Sequence, residues 1–181
     1  MASTLSYLRL LRAPNVFTAV ADIAMGFLFV THSLVPVGGL ALLLVATCGL
    51  YLAGMVLNDV FDVEVDRQER PQRPIPSGEI SLGRAKTIGF GLLVVGVVAG
   101  VFAGLFFSAP GVGRLRSGTV AIILALSVLI YDGGVKKTFF GAIAMGLCRT
   151  CNVLLGMSLF PAVGRSELLT FSVSQWAVAG G

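Results

Sequence analysis

Long apolar runs without a charged residue decide what this chain can fold into. Residues 33–57, 87–113 and 117–131 contain no Asp, Glu, Lys or Arg, and two further apolar stretches, 16–31 and 138–164, carry one interior charge each. A bilayer core needs roughly 20 apolar residues in helical form, so these five runs are candidate membrane spans. Only 12% of residues are charged and 56% are apolar, too little polarity to cover a soluble domain of this length. The runs are rich in Leu, Val, Ala and Gly and lack period-2 alternation, which favours membrane helices over a membrane barrel. The fourth run has 15 residues, roughly 22 Å at about 1.5 Å per residue. It must borrow residues 133–135 or rely on Arg114 and Arg116 reaching to the interface.

Loop charges set the expected orientation. Nine Lys and Arg (Arg9, Arg12, Arg67, Arg70, Arg73, Arg84, Lys86, Lys136, Lys137) fall on one side and three (Arg114, Arg116, Arg165) on the other, while Arg149 lies inside a run. The positive-inside rule then places the N-terminus and the 58–86 loop in the cytoplasm. The net charge of +4 is accounted for by short loops facing lipid headgroups, and no nucleic-acid partner is implied. The N-terminal residues 1–11 lack the pattern of a cleaved signal peptide and read as a retained lead-in. Cys48, Cys148 and Cys151 fall inside apolar runs, where thiols act as small apolar side chains; His32 falls in an outer loop and reads as solvated. The Gly96, Gly100 and Gly104 stripe, with Gly89 and Gly91 before it, reads as a surface for close helix approach.

The chemistry concentrates in residues 58–86. Asp59, Asp62 and Asp66 are spaced by three and four residues, which on one continuous helix puts three carboxylates on one face. Such a face needs a cation, and singly presented oxygen ligands suit magnesium, which keeps several waters and shares its shell with phosphates. Asn58 adds an amide oxygen one turn before Asp62. The competing reading is a solvated helix whose acids pair with Arg67, Arg70 and Arg73. Pro71, Pro74 and Pro76 forbid helix beyond Arg70, so a stiff basic loop follows the acidic turn. Magnesium on some oxygens and guanidinium on others would suit a diphosphate.

The string Asn58-Asp59-x-x-Asp62-x-x-x-Asp66, followed by Arg73-Pro74-Ile75-Pro76-Ser77-Gly78, resembles the first signature of the UbiA prenyltransferase superfamily. The resemblance extends to Arg12-Ala13-Pro14-Asn15 before the first span and to Tyr131 with Lys136 and Lys137, one residue wider than the family's Tyr-Lys-Arg element. The fifth span, with Arg149 and Asn152 one turn apart, looks most like the EboC-like branch. An Arg at that depth costs roughly 2.5 to 3.5 kcal/mol to insert and is expected to face a cavity. What the resemblance implies is magnesium-dependent transfer of a prenyl group from an isoprenyl diphosphate to an acceptor within the membrane. It assigns catalysis to Asn58, Asp59, Asp62, Asp66 and Arg149, metal binding to Asp59, Asp62 and Asp66, and substrate binding to Arg12, Asn15, Arg73, Tyr131, Lys136 and Asn152. Membrane lipid surrounds such a protein; the acceptor, the prenyl length and the oligomeric state are not specified.

The expected fold is all-α: a multi-pass transmembrane helix bundle of about five spans plus the start of a sixth, resembling the N-terminal half of the nine-helix UbiA fold. It is one membrane domain over residues 1–181, incomplete at its C-terminus. The family's second Asp-rich motif has no counterpart, since the one Asp after Asp66 is Asp132. That gap supports an alternative, a non-catalytic membrane scaffold or degenerate paralogue. A CDP-alcohol phosphotransferase lacks its Asp-Gly and Ala-Arg elements here, and a transporter lacks a polar path or broken-helix repeats. Asp22 in the first span either pairs with Arg149, lines the same chamber, or stands neutral in lipid.

Overall fold

The computed structural model of the chain describes residues 4–161, so the sixth span expected from residue 168 and the loop residue Arg165 lie outside the described residues. Seven α-helices and no strands are found among them: α1 (Thr4–Leu11), α2 (Val16–Thr31), α3 (Val37–Phe61), α4 (Val63–Glu69), α5 (Leu82–Phe107), α6 (Arg116–Asp132) and α7 (Gly141–Met157). Helices α3 and α5 are long and apolar enough to cross a membrane by length and composition, while α2 and α7 are shorter apolar helices. The 17 residues of α6 cover about 25 Å. Its start differs from the sequence expectation: Arg116 turns inward, 1% exposed, and Nη1 donates to the Phe160 carbonyl at 3.1 Å.

Packing follows from where glycine permits backbone contact. Along α5, a Cβ on Gly96 would lie 2.9 Å from the Ala46 carbonyl of α3, and one on Gly100 would lie 2.7 Å from Ala121 of α6. The glycine stripe therefore faces two neighbours at once. Gly91 is the exception, with open space at its Cβ position. Helices α2 and α7 meet in the same way: a Cβ on Gly26 would lie 2.4 Å from the Val153 carbonyl, and one on Gly156 would lie 2.6 Å from that of Ile23. The apolar core between α2, α3, α5, α6 and α7 is filled by Ile23, Phe27, Leu43, Leu50, Leu124 and Leu155, among others.

A second apolar cluster secures the proline loop. Ile75 and Ile80 are buried with Leu10 of α1, Val56 and Val60 of α3, Val63 of α4 and Ala85 of α5. Backbone bonds from Ser77 N–H to the Arg73 carbonyl (2.9 Å) and from Ile80 N–H to the Pro74 carbonyl (2.9 Å) fold the loop back on itself. Helix α4 ends at Glu69, next to the Arg70 stop expected from the prolines. Asp62, however, departs from helical dihedrals (φ −91°, ψ 7°) between α3 and α4 while the i→i−4 bonds continue through it, and the three acids take different partners: Asp59 and Asp66 share Arg73, and Asp62 pairs with Lys136.

The packing predicts that Gly96→Ala lowers stability by about 1–3 kcal/mol, because its methyl meets backbone that cannot yield. Gly91→Ala is expected to stay within about 0.5 kcal/mol of wild type. Thermal unfolding of both variants in detergent checks the contrast.

Candidate active site

The acidic side chains fall into two groups by their partners. Asp59, on the last turn of α3, is 3% exposed and accepts from Arg12 Nη2 at 2.7 Å and Arg73 Nη1 at 3.1 Å, both on Oδ1. The same Arg73 Nη1 donates to Asp66 Oδ2 at 2.5 Å, so one guanidinium from the proline loop joins α3 to α4. Arg70 Nη1 lies 3.9 Å from Asp66 Oδ1. Asp62 turns the other way. Lys136 Nζ donates to Asp62 Oδ2 and to Asn58 Oδ1, each at 2.6 Å, and Lys137 Nζ stands 3.3 Å from Asp62 Oδ1. The two lysines come from the 3₁₀ turn Val135–Lys137 between α6 and α7. The family-like Tyr131, Lys136 and Lys137 element is thereby brought against the Asp-rich segment although more than 60 residues separate them. Burial acts to raise the Asp62 pKa, but the paired lysines outweigh it and hold the carboxyl below its ordinary value.

Behind this rim, between α2, α3, α6 and α7, lies a cavity of about 400 Å³. Arg12, Asn58, Tyr131 and Asp132 stand at its mouth, and leucine, methionine and valine side chains form much of its wall. Part of its wall is polar, and there the Arg149 side chain is 67% exposed. Arg149 Nη2 donates to Asp22 Oδ1 at 3.0 Å, and Asn152 Nδ2 donates to the Ala19 carbonyl at 3.1 Å and to Asp22 Oδ2 at 3.4 Å. Thr47 Oγ1 on α3 completes the network by donating to Asn152 Oδ1 at 2.6 Å. The backbone contact at Gly26 and Gly156 holds α2 and α7 close enough for these bonds. Two of the readings open for Asp22 are thus both realised: it pairs with Arg149 and it lines the chamber. A second cavity of about 430 Å³ opens outside the rim, lined by Arg9, Arg12, Asp59, Gln72, Arg73 and Pro74, so Arg12 lines both.

Of the residues singled out in the sequence, Arg12, Asn58, Tyr131, Arg149 and Asn152 line the chamber, and Asp59, Asp62, Asp66, Arg73 and Lys136 are linked to Arg12 or Asn58, directly or through one another, by ion pairs and hydrogen bonds. Asn15 is exposed and is not part of the cavity lining. Thr47 and Asp132 were not anticipated. The Tyr131-Asp132 pairing four residues before Lys136 was the available signal for Asp132. Cys148 lines the chamber and Cys151 is buried, both as free thiols.

Among the described residues, no three His, Cys, Asp or Glu side chains converge on one ion position. The rim does fit magnesium in its usual role, because an amide oxygen and separate carboxylates leave most of the shell for water and phosphate. The residues expected from the sequence to hold it are Asp59, Asp62 and Asp66, of which Asp59 and Asp66 here share Arg73 while Asp62 pairs with Lys136.

The described residues thus form an all-helical bundle with an apolar-walled chamber beside paired carboxylates and basic side chains. A family model, the UbiA prenyltransferase family, matches residues 19–180, and the chain belongs to that family. The digeranylgeranylglyceryl phosphate synthase of Saccharolobus solfataricus is 29% identical over 152 residues, covering 83% of this chain and 50% of the relative. That of Sulfolobus acidocaldarius is 36% identical over 104 residues, covering 57% and 37%. A solved structure described as giving insights into the biosynthesis of digeranylgeranylglyceryl phosphate synthase in membranes superposes with a TM-score of 0.74 at 29% identity, covering 86% of this chain and 53% of the other. The chain spans about half the length of the curated relatives it matches.

Because the Asp62 pKa is lowered, its ion pairing is intact at neutral pH and is lost as pH falls through that lowered value. Lys136→Met is expected to raise the Asp62 pKa, since burial then meets less opposition, and the loss of pairing moves to higher pH. Carboxyl ¹³C titration measures the shift.

Proposed function

We propose that the chain carries the donor half of a magnesium-dependent prenyltransferase, moving a prenyl group from an isoprenyl diphosphate to an acceptor held in the membrane. The observation that carries this reading is the convergence of Asn58, Asp59, Asp62 and Asp66 with Arg12, Arg73 and Lys136 at the mouth of an apolar-walled chamber. The runs of apolar residues support five spans, with α1 and the Asp-rich loop in the cytoplasm by loop charge. The relatives' names support a geranylgeranyl donor and, as acceptor, the hydroxyl of geranylgeranylglyceryl phosphate.

Bound magnesium would neutralise charge building on the leaving diphosphate. The chain's own contribution begins with Arg73 and Lys136, which now neutralise carboxylates and sit where they can turn to phosphate oxygens. Two or three charge-assisted hydrogen bonds from such groups lower the barrier to C1–O cleavage, because they meet charge that grows in the transition state. The leucine, valine and methionine walls exclude water from the allylic carbon as it loses its leaving group. Arg149, tethered by Asp22, presents its remaining N–H donors to the chamber, where they orient a polar acceptor head.

Asp59→Asn and Asp62→Asn are each expected to lower magnesium-dependent diphosphate release from geranylgeranyl diphosphate by about 100-fold or more, and chelation by EDTA to abolish it. Arg149→Leu is expected to impair prenyl transfer. Unchanged donor binding and turnover in Arg149→Leu, or metal-independent release in wild type, would sink the reading. Purified chain in nanodiscs, assayed for released diphosphate and prenylated product, makes both measurements.

A further inference from the structure

Prenyl transfer to a hydroxyl leaves one proton to be removed, and the chamber wall holds two carboxylates that could take it, Asp22 and Asp132. Asp22 is held by Arg149 and Asn152 through both oxygens. Asp132 is different. Its side chain is 4% exposed, it receives no hydrogen bond, and its nearest cation is Lys136 Nζ at 3.9 Å, whose short bonds go to Asn58 and Asp62. Across the chamber it faces Gly54 of α3, where a Cβ would come no closer than 4.0 Å to Oδ2. The missing side chain leaves room in front of the carboxylate, one turn below Asn58. The charged and titratable groups around it are Lys136 and Tyr131 on its own segment, Asp59 and Asp62 from the end of α3, Arg12 from the turn after α1, and Cys148 from α7. None donates to it.

We propose that Asp132 is a catalytic residue, the proton acceptor for a hydroxyl nucleophile; this rests on the prenyl-transfer reading. The acceptor oxygen forms a bond to prenyl C1 while the C1–O bond to diphosphate breaks, and the diphosphate leaves with that electron pair. The hydroxyl proton passes to Asp132 Oδ2, which returns it to water at the chamber mouth on product release. The place suits the task, because the mouth is where the diphosphate-bearing carbon must lie if Asn58, Asp62 and Lys136 surround its leaving group. A free carboxylate in hydrogen-bond reach of the nucleophile, rather than one saturated by donors, is what general-base catalysis requires.

The test uses the full chain in nanodiscs with magnesium, geranylgeranyl diphosphate as donor and geranylgeranylglyceryl phosphate as the hydroxyl probe. Asp132→Asn is expected to lower transfer by about 100-fold or more, to keep the donor Kd within about twofold, and to lose the acidic limb of the rate–pH profile. Asp132→Glu, which keeps a base but moves it, is expected to retain that limb with an intermediate rate. Transfer by Asp132→Asn within a few fold of wild type with the limb unchanged would overturn the role, the departing diphosphate then taking the proton. Loss of donor binding by both variants would make Asp132 a positioning group and equally overturn it. Wild type that binds no donor overturns the prenyl-transfer reading itself, and this role with it.

Discussion

Everything at the mouth of this bundle depends on one guanidinium. Arg73 reaches from the proline loop to Asp59 on α3 and Asp66 on α4, and it is the group that joins these two nearly buried carboxylates, with Arg12 also on Asp59 and Arg70 near Asp66. Removing it would leave Asp59 to Arg12 and Asp66 to the more distant Arg70, and would cut the link between α3 and α4. The loop can hold Arg73 in place only because Ile75 and Ile80 are buried under the ends of α3 and α5. A small apolar cluster thus positions a charge, and the charge fixes the angle between two helices.

The neighbouring group works by the same rule with different parts. Lys136 and Lys137 come from a short turn, and they draw Asp62 away from the other two acids. The rim is therefore two ion-paired stations, one centred on Arg73 and one on Lys136, on either side of the chamber entrance. An anionic headgroup with several oxygens can engage both, which a single cluster of three acids on one helix would not have allowed.

Much of this was legible in the sequence, and the misreadings have physical causes. The charge-free runs announced the helices, the three prolines announced the end of α4, and the glycine stripe announced close approach, though not that Gly96 would meet α3 while Gly100 meets α6. Spacing also named most of the rim. It did not show that Asp62 would pair with Lys136 while Asp59 and Asp66 share Arg73, because spacing along one segment carries no information about which distant cations fold against it. Asp132 was read as a motif that had failed to form, because a string of residues does not show that Gly54 leaves space opposite it. Thr47 was invisible for a similar reason: a threonine in an apolar run carries no mark of the Asn152 it bonds 105 residues away.

The meeting of α2 and α7 bears on how such a chamber could change over evolution. At Gly26 and Gly156 main chain touches main chain, so that seam has no side chain left to trim and no slack to take up. Facing α3 and α6 are separated by side chains instead, with a Cβ on Gly54 reaching only to a methyl of Val128 at 3.1 Å. Pocket size can drift by ordinary substitutions along that second boundary while the first stays fixed. Descendants of this scaffold that accept bulkier or slimmer guests would differ along α3 and α6, and would share an unaltered α2–α7 spine.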